Sequence, residues 1–306
     1  MSFISPKVFQ RITLAATIFL AIIIITGGAV RLSGSGLGCP DWPNCSPGRL
    51  TPRSSSDAHA MIEFLNRVFT GLVSLAVIVA VLGSIFRNPR RRDLIYLSLG
   101  LVGGVIAQAV LGGLTVLYEL QPPFVMAHFL VSLVLLANAL VLLRRSGEPE
   151  GQCRWRVSRP IQIADLVMLV SAAVVFVAGT VVTATGPHGG DRSARRFNFN
   201  LETVARIHGS SVIVLILVII TLAVLVFKLG ASRSIKIRLL AVAVVVLLQG
   251  TIGYVQYFRG IPELLVGFHI AGATAVWAAV VWFDLGLRTH DNQEVIPRDD
   301  RLADRE

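Results

Sequence analysis

Gln108-Ala-Val-Leu-Gly112 and Gln249-Gly-Thr-Ile-Gly253 are two copies of one short pattern, 141 residues apart. A histidine follows each glutamine by 20 residues, His128 in the first copy and His269 in the second. The correspondence extends backwards: Asn66 precedes Gln108 by 42 residues and His208 precedes Gln249 by 41. Gly28 and Gly179, each late in an apolar segment, open the two copies. A repeat this long implies one structural unit built twice, with a site at the same place in each. The site residues are histidines inside apolar segments, where polar groups are costly and usually functional.

The composition decides what surrounds the repeat. Hydrophobic residues make up 54% of the chain and charged residues 15%, with a mean hydropathy of +0.71. That balance belongs to a polytopic membrane protein rather than a soluble domain. Eight apolar stretches approach the roughly 20 residues a spanning helix needs. They run over Ile12–Val30, His59–Ile85, Leu94–Leu117, Val125–Leu143, Ile161–Val182, Val204–Phe227, Leu239–Phe258 and Leu264–Leu287. Four fall in each repeat, which predicts an all-α integral membrane protein of eight transmembrane helices in two pseudo-symmetric four-helix bundles. The expected division is a first bundle over 1–145, a linker over 146–160, a second bundle over 161–288 and a disordered tail over 289–306.

A net charge of +10 would also suit a nucleic-acid binder, but its distribution excludes that class. Lys7 and Arg11 precede the first span; Arg87 and Arg90 to Arg92 follow the second, and Arg144, Arg145, Arg154, Arg156 and Arg159 the fourth. Lys228, Arg233, Lys236 and Arg238 follow the sixth, and Arg288 the eighth. Every second connection is basic, which predicts cytoplasmic termini and cytoplasmic basic loops in a cell membrane. The long first apolar run, with no small-residue cleavage site after it, argues against a signal peptide.

Cys153 falls in an expected cytoplasmic loop and should stay reduced. Cys39 and Cys45 fall in the first external loop, in Cys-Pro-Asp-Trp-Pro-Asn-Cys. They can close a small disulfide ring, stay as free thiols or exchange with a redox partner; the oxidising side favours the ring.

His128, His208 and His269 all lie near the external ends of their spans, His128 about 5 Å inside at about 1.5 Å per residue. In the second half, His208 on span six and His269 on span eight can face each other at one level. Two neutral imidazoles from different helices of a bundle can hold a heme iron, or simply hydrogen-bond as structural residues. Zinc would want cysteine or carboxylate ligands beside the pair, and the sequence has none there. In the first half His128 matches His269, but Asn66 stands where His208 stands, which leaves one position opposite His128 open. His59, Glu63 and Asn66 share one helix face. Glu63 reads equally as the i,i+4 partner of Arg67 or as a proton acceptor beside an open iron site. Arg31, Arg67 and Arg206 gather near the external surface, as propionate-binding forks or as snorkelling interfacial side chains. Gly112, Gly113 and Gly253 read as close helix contacts rather than a nucleotide cradle.

At these residues the chain resembles the heme A synthase family. The resemblance rests on Gly27-Gly-Ala-Val-Arg-Leu-Ser-Gly-Ser-Gly-Leu37, Ile62-Glu-Phe-Leu-Asn-Arg67 and Gln108-x-x-Leu-Gly-Gly-x-Thr-Val116 followed by His128. It also rests on Gly179-Thr-Val-Val-Thr with Gly186-Pro-His-Gly-Gly-Asp191, on Arg206-Ile-His-Gly209 and on His269, and covers residues 8 to 287. It implies conversion of heme O to heme A for cytochrome oxidase, by oxidation of a ring methyl to a formyl group. It implies a heme b between His208 and His269, a substrate heme with His128, and an essential glutamate at Glu63. A cysteine pair in the first external loop is common among bacterial members. The family's E-x-x-H-R reads here as Glu63-x-x-Asn66-Arg67, so His128 is the one matched ligand of the first half. The third loop lacks the cysteine pair that some members carry. Expected partners are heme O, a heme O synthase, a redox partner and membrane lipid, with a homo-oligomer compatible and no nucleic acid.

Two other functions compete. A non-catalytic diheme electron carrier predicts two histidines per half, against Asn66. A transporter built from parallel repeats predicts broken helices and a polar midplane, whereas the polar residues crowd the external end.

Overall fold

The computed structural model describes residues 4–291. Its eight helices are α1 (Pro6–Leu32), α2 (Ala58–Phe86), α3 (Arg92–Leu117), α4 (Pro122–Ser146), α5 (Arg159–Thr185), α6 (Leu201–Lys228), α7 (Arg233–Phe258) and α8 (Glu263–Gly286). All eight are long and apolar enough to cross a membrane, and the protein is a multi-pass membrane protein. Leu75, Leu217 and Leu240 are each more than half exposed on the outer surface, a placement that is favourable in lipid and costly in water.

Three of the helices, α1, α2 and α6, begin at a side-chain cap. The Ser5 side chain accepts from Val8 N–H, ahead of Pro6, and α1 therefore begins before the apolar run. At matching places in the two copies, Asp57 accepts from Ala60 N–H and Asn200 from Thr203 N–H. Each cap satisfies a backbone donor that the helix itself leaves orphaned.

In the first half α1 packs on α2, α2 on α3, α3 on α4, and α4 returns to α1; α5 to α8 close in the same way. Each half buries its own apolar cluster, one including Phe9, Val77, Leu101 and Leu142, the other Met168, Leu222, Val242 and Phe283. Between the halves α1 meets α8, α4 meets α5 and α4 meets α8. Exchanging the halves turns the first of these contacts into the second and the third into itself, the signature of a two-fold relation. Trp277 Nε1 donates to the Leu133 carbonyl across this seam at 2.8 Å. Gly28 lies against Ile270 there, where a Cβ would come within 2.9 Å.

The repeat reaches the backbone of the short turns. Glu119 and Leu120 join α3 to α4 with φ of 52° and 58°; Gly260 and Ile261 join α7 to α8 with φ of 77° and 59°. Leu120 N–H donates to the Thr115 carbonyl and Ile261 N–H to that of Gln256, both at 2.8 Å. Positive φ is uncommon outside glycine and strained for the β-branched Ile261, and the same left-handed turn sits at the same place twice.

At the basic end the structure departs from the expected linker and tail. Gln152–Trp155 (β1) and Arg288–Asp291 (β2) form an antiparallel pair. Residues 289–291, expected to be disordered, are therefore ordered; 292–306 lie outside the described residues. Arg288 stacks over Trp155 and pairs with Asp284, and His290 meets Glu148 at 2.9 Å. The contacts of Arg288 with Trp155 and of His290 with Glu148 join residues far apart in sequence and have no periodic signature. Cys153 is free and exposed on β1.

Candidate functional site

His128, His208 and His269 sit about two turns into their helices, at the end opposite the basic loops. His128 lies six residues past Pro122, where α4 begins; His269 lies six past Glu263 on α8, and His208 seven past Leu201 on α6. Each is about 9 to 10 Å along its helix at about 1.5 Å per residue, deeper than the apolar stretch alone indicates for His128.

In the second half the rings of His208 and His269 face each other with centroids 6.4 Å apart and planes at 76°. Two metal–imidazole bonds of about 2 Å, with a ring radius at each end, span about 6 Å. His208 Nδ1 lies 3.2 Å from the Val175 carbonyl; donating there leaves Nε2 as the nitrogen with a free lone pair. A Cβ on Gly179 would come within 3.1 Å of His208 Cε1, and one on Gly253 within 2.8 Å of His269 Cε1. Both glycines thus make room for a ring. Among the described residues no three histidine, cysteine or acidic side chains gather as a metal site. A heme needs only two axial ligands from the protein because the porphyrin supplies the rest, so this donor set fits a heme.

The repeated glutamines have a local task. Gln249 Nε2 donates to the His269 carbonyl at 2.8 Å, and Gln108 Nε2 to the His128 carbonyl at 3.1 Å and to Ser132 Oγ at 2.8 Å. Each ties the histidine's helix to its antiparallel neighbour one turn below the ring. Gly112 repeats the role of Gly253: its Cβ would stand 3.4 Å from His128 Cε1. Gly28 and Gly179, equivalent in the sequence, part company here, since Gly179 touches a histidine and Gly28 packs against the other half. The Nδ1 atoms of His128 and His269, and Oδ1 of Asn66, are buried with no hydrogen-bond partner among the described residues.

Of the two open readings of Glu63, the pairing with Arg67 is present. The Glu63 side chain is 8% exposed and pairs with Arg67 at 2.6 Å. Its other oxygen accepts from Cys39 N–H at 2.8 Å. Arg67 also donates to the carbonyls of Cys39 and Asn44, at 2.8 and 2.7 Å. The pair therefore grips the ring that the Cys39–Cys45 disulfide closes. Both cysteines are buried. Trp42, at the apex of that ring, lies on α3 with its indole against Gly113. His59 turns away, to Ser35 Oγ at 3.0 Å.

The three arginines each have different partners. Arg31 donates to the carbonyls of His188 and Thr183, at 2.7 and 2.8 Å, and so ties α1 to the last turn of α5 and the loop after it. Arg67 is spent on the disulfide ring. Arg206 is exposed and paired with Glu202 one turn away. Buried guanidinium groups require acceptors, and free backbone carbonyls at helix ends and in loops supply them. Neither Trp42 nor these carbonyl partners were legible beforehand; the single usable signal was the tryptophan between the two cysteines.

Fold and site together define a duplicated helical membrane protein with two histidines facing each other in one half and His128 at the matching place in the other. A family model described as cytochrome oxidase assembly protein (COX15-CtaA) matches residues 10–187 and 191–304, and the chain belongs to that family. The heme A synthase of Exiguobacterium sibiricum is 33% identical over 175 residues, 56% of this chain and 57% of that protein. The heme A synthase of Lysinibacillus sphaericus is 35% identical over 130 residues, 42% and 41% of the two chains. That of Listeria monocytogenes serovar 1/2a is 31% identical over 180 residues, 58% and 56%. The chain spans about half the length of the curated relatives it matches.

Proposed function

We propose that this protein oxidises a ring methyl group of heme O to a formyl group, giving heme A, and that it does so with a heme b held between His208 and His269. The observation that carries the reading is the facing of those two imidazoles at 6.4 Å, in a family whose relatives bear the name heme A synthase. Bound there, a heme supplies one-electron transfer. The Val175 carbonyl fixes the tautomer of His208, and Gly179 and Gly253 leave the rings free to align. Arg206, exposed and paired with Glu202, is suited to a propionate.

In the first half His128 is the ligand for the substrate heme. Turning a methyl into a formyl group removes hydrogen as protons and electrons and brings in the oxygen of water. Glu63 takes up a proton from that water, and its contacts with Arg67 and Cys39 hold the carboxylate in place. The buried Asn66 oxygen offers a hydrogen-bond acceptor on the same helix where a second histidine would offer a ligand. A diheme carrier would need that second histidine. The implied partners are a heme O synthase and an electron acceptor. The implied setting is the cell membrane, with the basic end in the cytoplasm and the histidine end outside.

The test is His208→Ala and His269→Ala, each purified after expression with heme O supplied. Each should lose the low-spin bis-histidine spectrum while heme O still binds in the first half. An unchanged bis-histidine spectrum in both variants would overturn the ligand assignment.

A further inference from the structure

We propose that Trp42 forms the outer wall of the first-half heme pocket and governs how long heme O stays bound there. The inference rests on the reading of the first half as the substrate site.

A Cβ on Gly113 would lie 2.8, 2.9 and 3.0 Å from Cδ2, Cε2 and Cε3 of Trp42. Those atoms belong to the fused edge and six-membered ring of the indole, so the ring rests on the bare Cα of α3. The preceding residue, Gly112, is the one against the His128 ring. Trp42 thus sits one residue along α3 from the contact that positions the proposed ligand. It remains 38% exposed, with aromatic surface left for a flat partner.

The indole is delivered by a rigid support. The Cys39–Cys45 disulfide closes the ring around it. Arg67 holds that ring by the Cys39 and Asn44 carbonyls, and Glu63 holds it by the Cys39 N–H. A wall ordered in advance loses little entropy when a ligand arrives, and porphyrin and indole faces suit offset or edge-on packing.

The second copy lacks the device. Glutamine, glycine and histidine all repeat at an offset of 141, yet the counterpart of Gly113 is Tyr254. Tyr254 is 68% exposed and stacks on Phe258, and the loop after α5 contains no tryptophan. The copies therefore diverge where one must admit and release a substrate and the other must retain a cofactor.

The experiment loads purified protein with heme O and follows heme transfer to excess apomyoglobin by absorbance. Trp42→Ala should release the first-half heme about tenfold faster. Gly113→Ala, which keeps Trp42 and the disulfide but drives a methyl into the indole, should act in the same direction, and Trp42→Phe should restore most of the retention. An unchanged second-half low-spin spectrum reports that each variant is folded. Wild-type release rates in both Trp42→Ala and Gly113→Ala would overturn the role of Trp42 and leave the first-half reading standing. A wild-type protein that takes up heme in the second half alone would overturn that reading, and this inference with it.

Discussion

Glu63 carries two tasks that a single substitution can separate. Its two oxygens hold Arg67 and the Cys39 N–H, so the side chain both anchors the disulfide ring and serves as the proposed base. Glu63→Gln keeps the size and an acceptor for Cys39 but cannot take up a proton. The expected result is retained heme and a loss of heme A formation of about 100-fold or more, the lower range for a lost general base. If Glu63 were only the partner of Arg67, the variant would fold less well and turn over normally per heme-loaded molecule. Heme A formed per unit of bound heme distinguishes the two. The repeat made the histidines legible because chemistry and spacing recur together. It left Glu63 undecided, because an i,i+4 pair and a catalytic carboxylate have the same spelling. Trp42 was not legible as a wall, because its contact with Gly113 depends on how a loop folds back over α3.

At the scale of elements, the glycines of the histidine-bearing helix pairs are the most exposed to test. In Gly253→Ala the new methyl would stand 2.8 Å from His269 Cε1, closer than Cβ atoms approach, so the ring must move. The expected outcome is a shifted or weakened low-spin heme spectrum. Gly250→Ala on the same helix meets nothing within 4 Å and should leave the spectrum as in wild type. A normal spectrum in Gly253→Ala would mean that this glycine does not set the ring. Helix number and order could be read directly, since apolar runs of spanning length have few alternatives. Helix starts could not, because Lys7, Gln10 and Arg11 are helical without being apolar; the Ser5 cap decides that boundary. The left-handed turns at Glu119–Leu120 and Gly260–Ile261 were equally illegible. Glutamate, leucine and isoleucine are not turn-formers, and their conformation follows from the helices they join. The β1–β2 pair escaped notice because four-residue strands from distant segments leave no period to detect.

The whole molecule is two rings of four helices related by a two-fold exchange, with the larger cluster of basic residues at one end and His128, His208 and His269 at the other. That polarity predicts an orientation. Cys153 is free and exposed at the basic end, so a membrane-impermeant maleimide should label it in inside-out vesicles and not in intact cells. Labelling from outside would invert the topology and put the histidines on the cytoplasmic face. The central claim is that one half keeps a heme as cofactor while the other changes a heme as substrate. It is tested most directly by extracting and chromatographing the hemes bound to protein purified from cells that make heme O. The account predicts heme b together with heme O and heme A in the wild type, and heme b with heme O but no heme A in Glu63→Gln. Heme b alone, in both proteins and in two equivalents, would contradict it and leave an electron carrier.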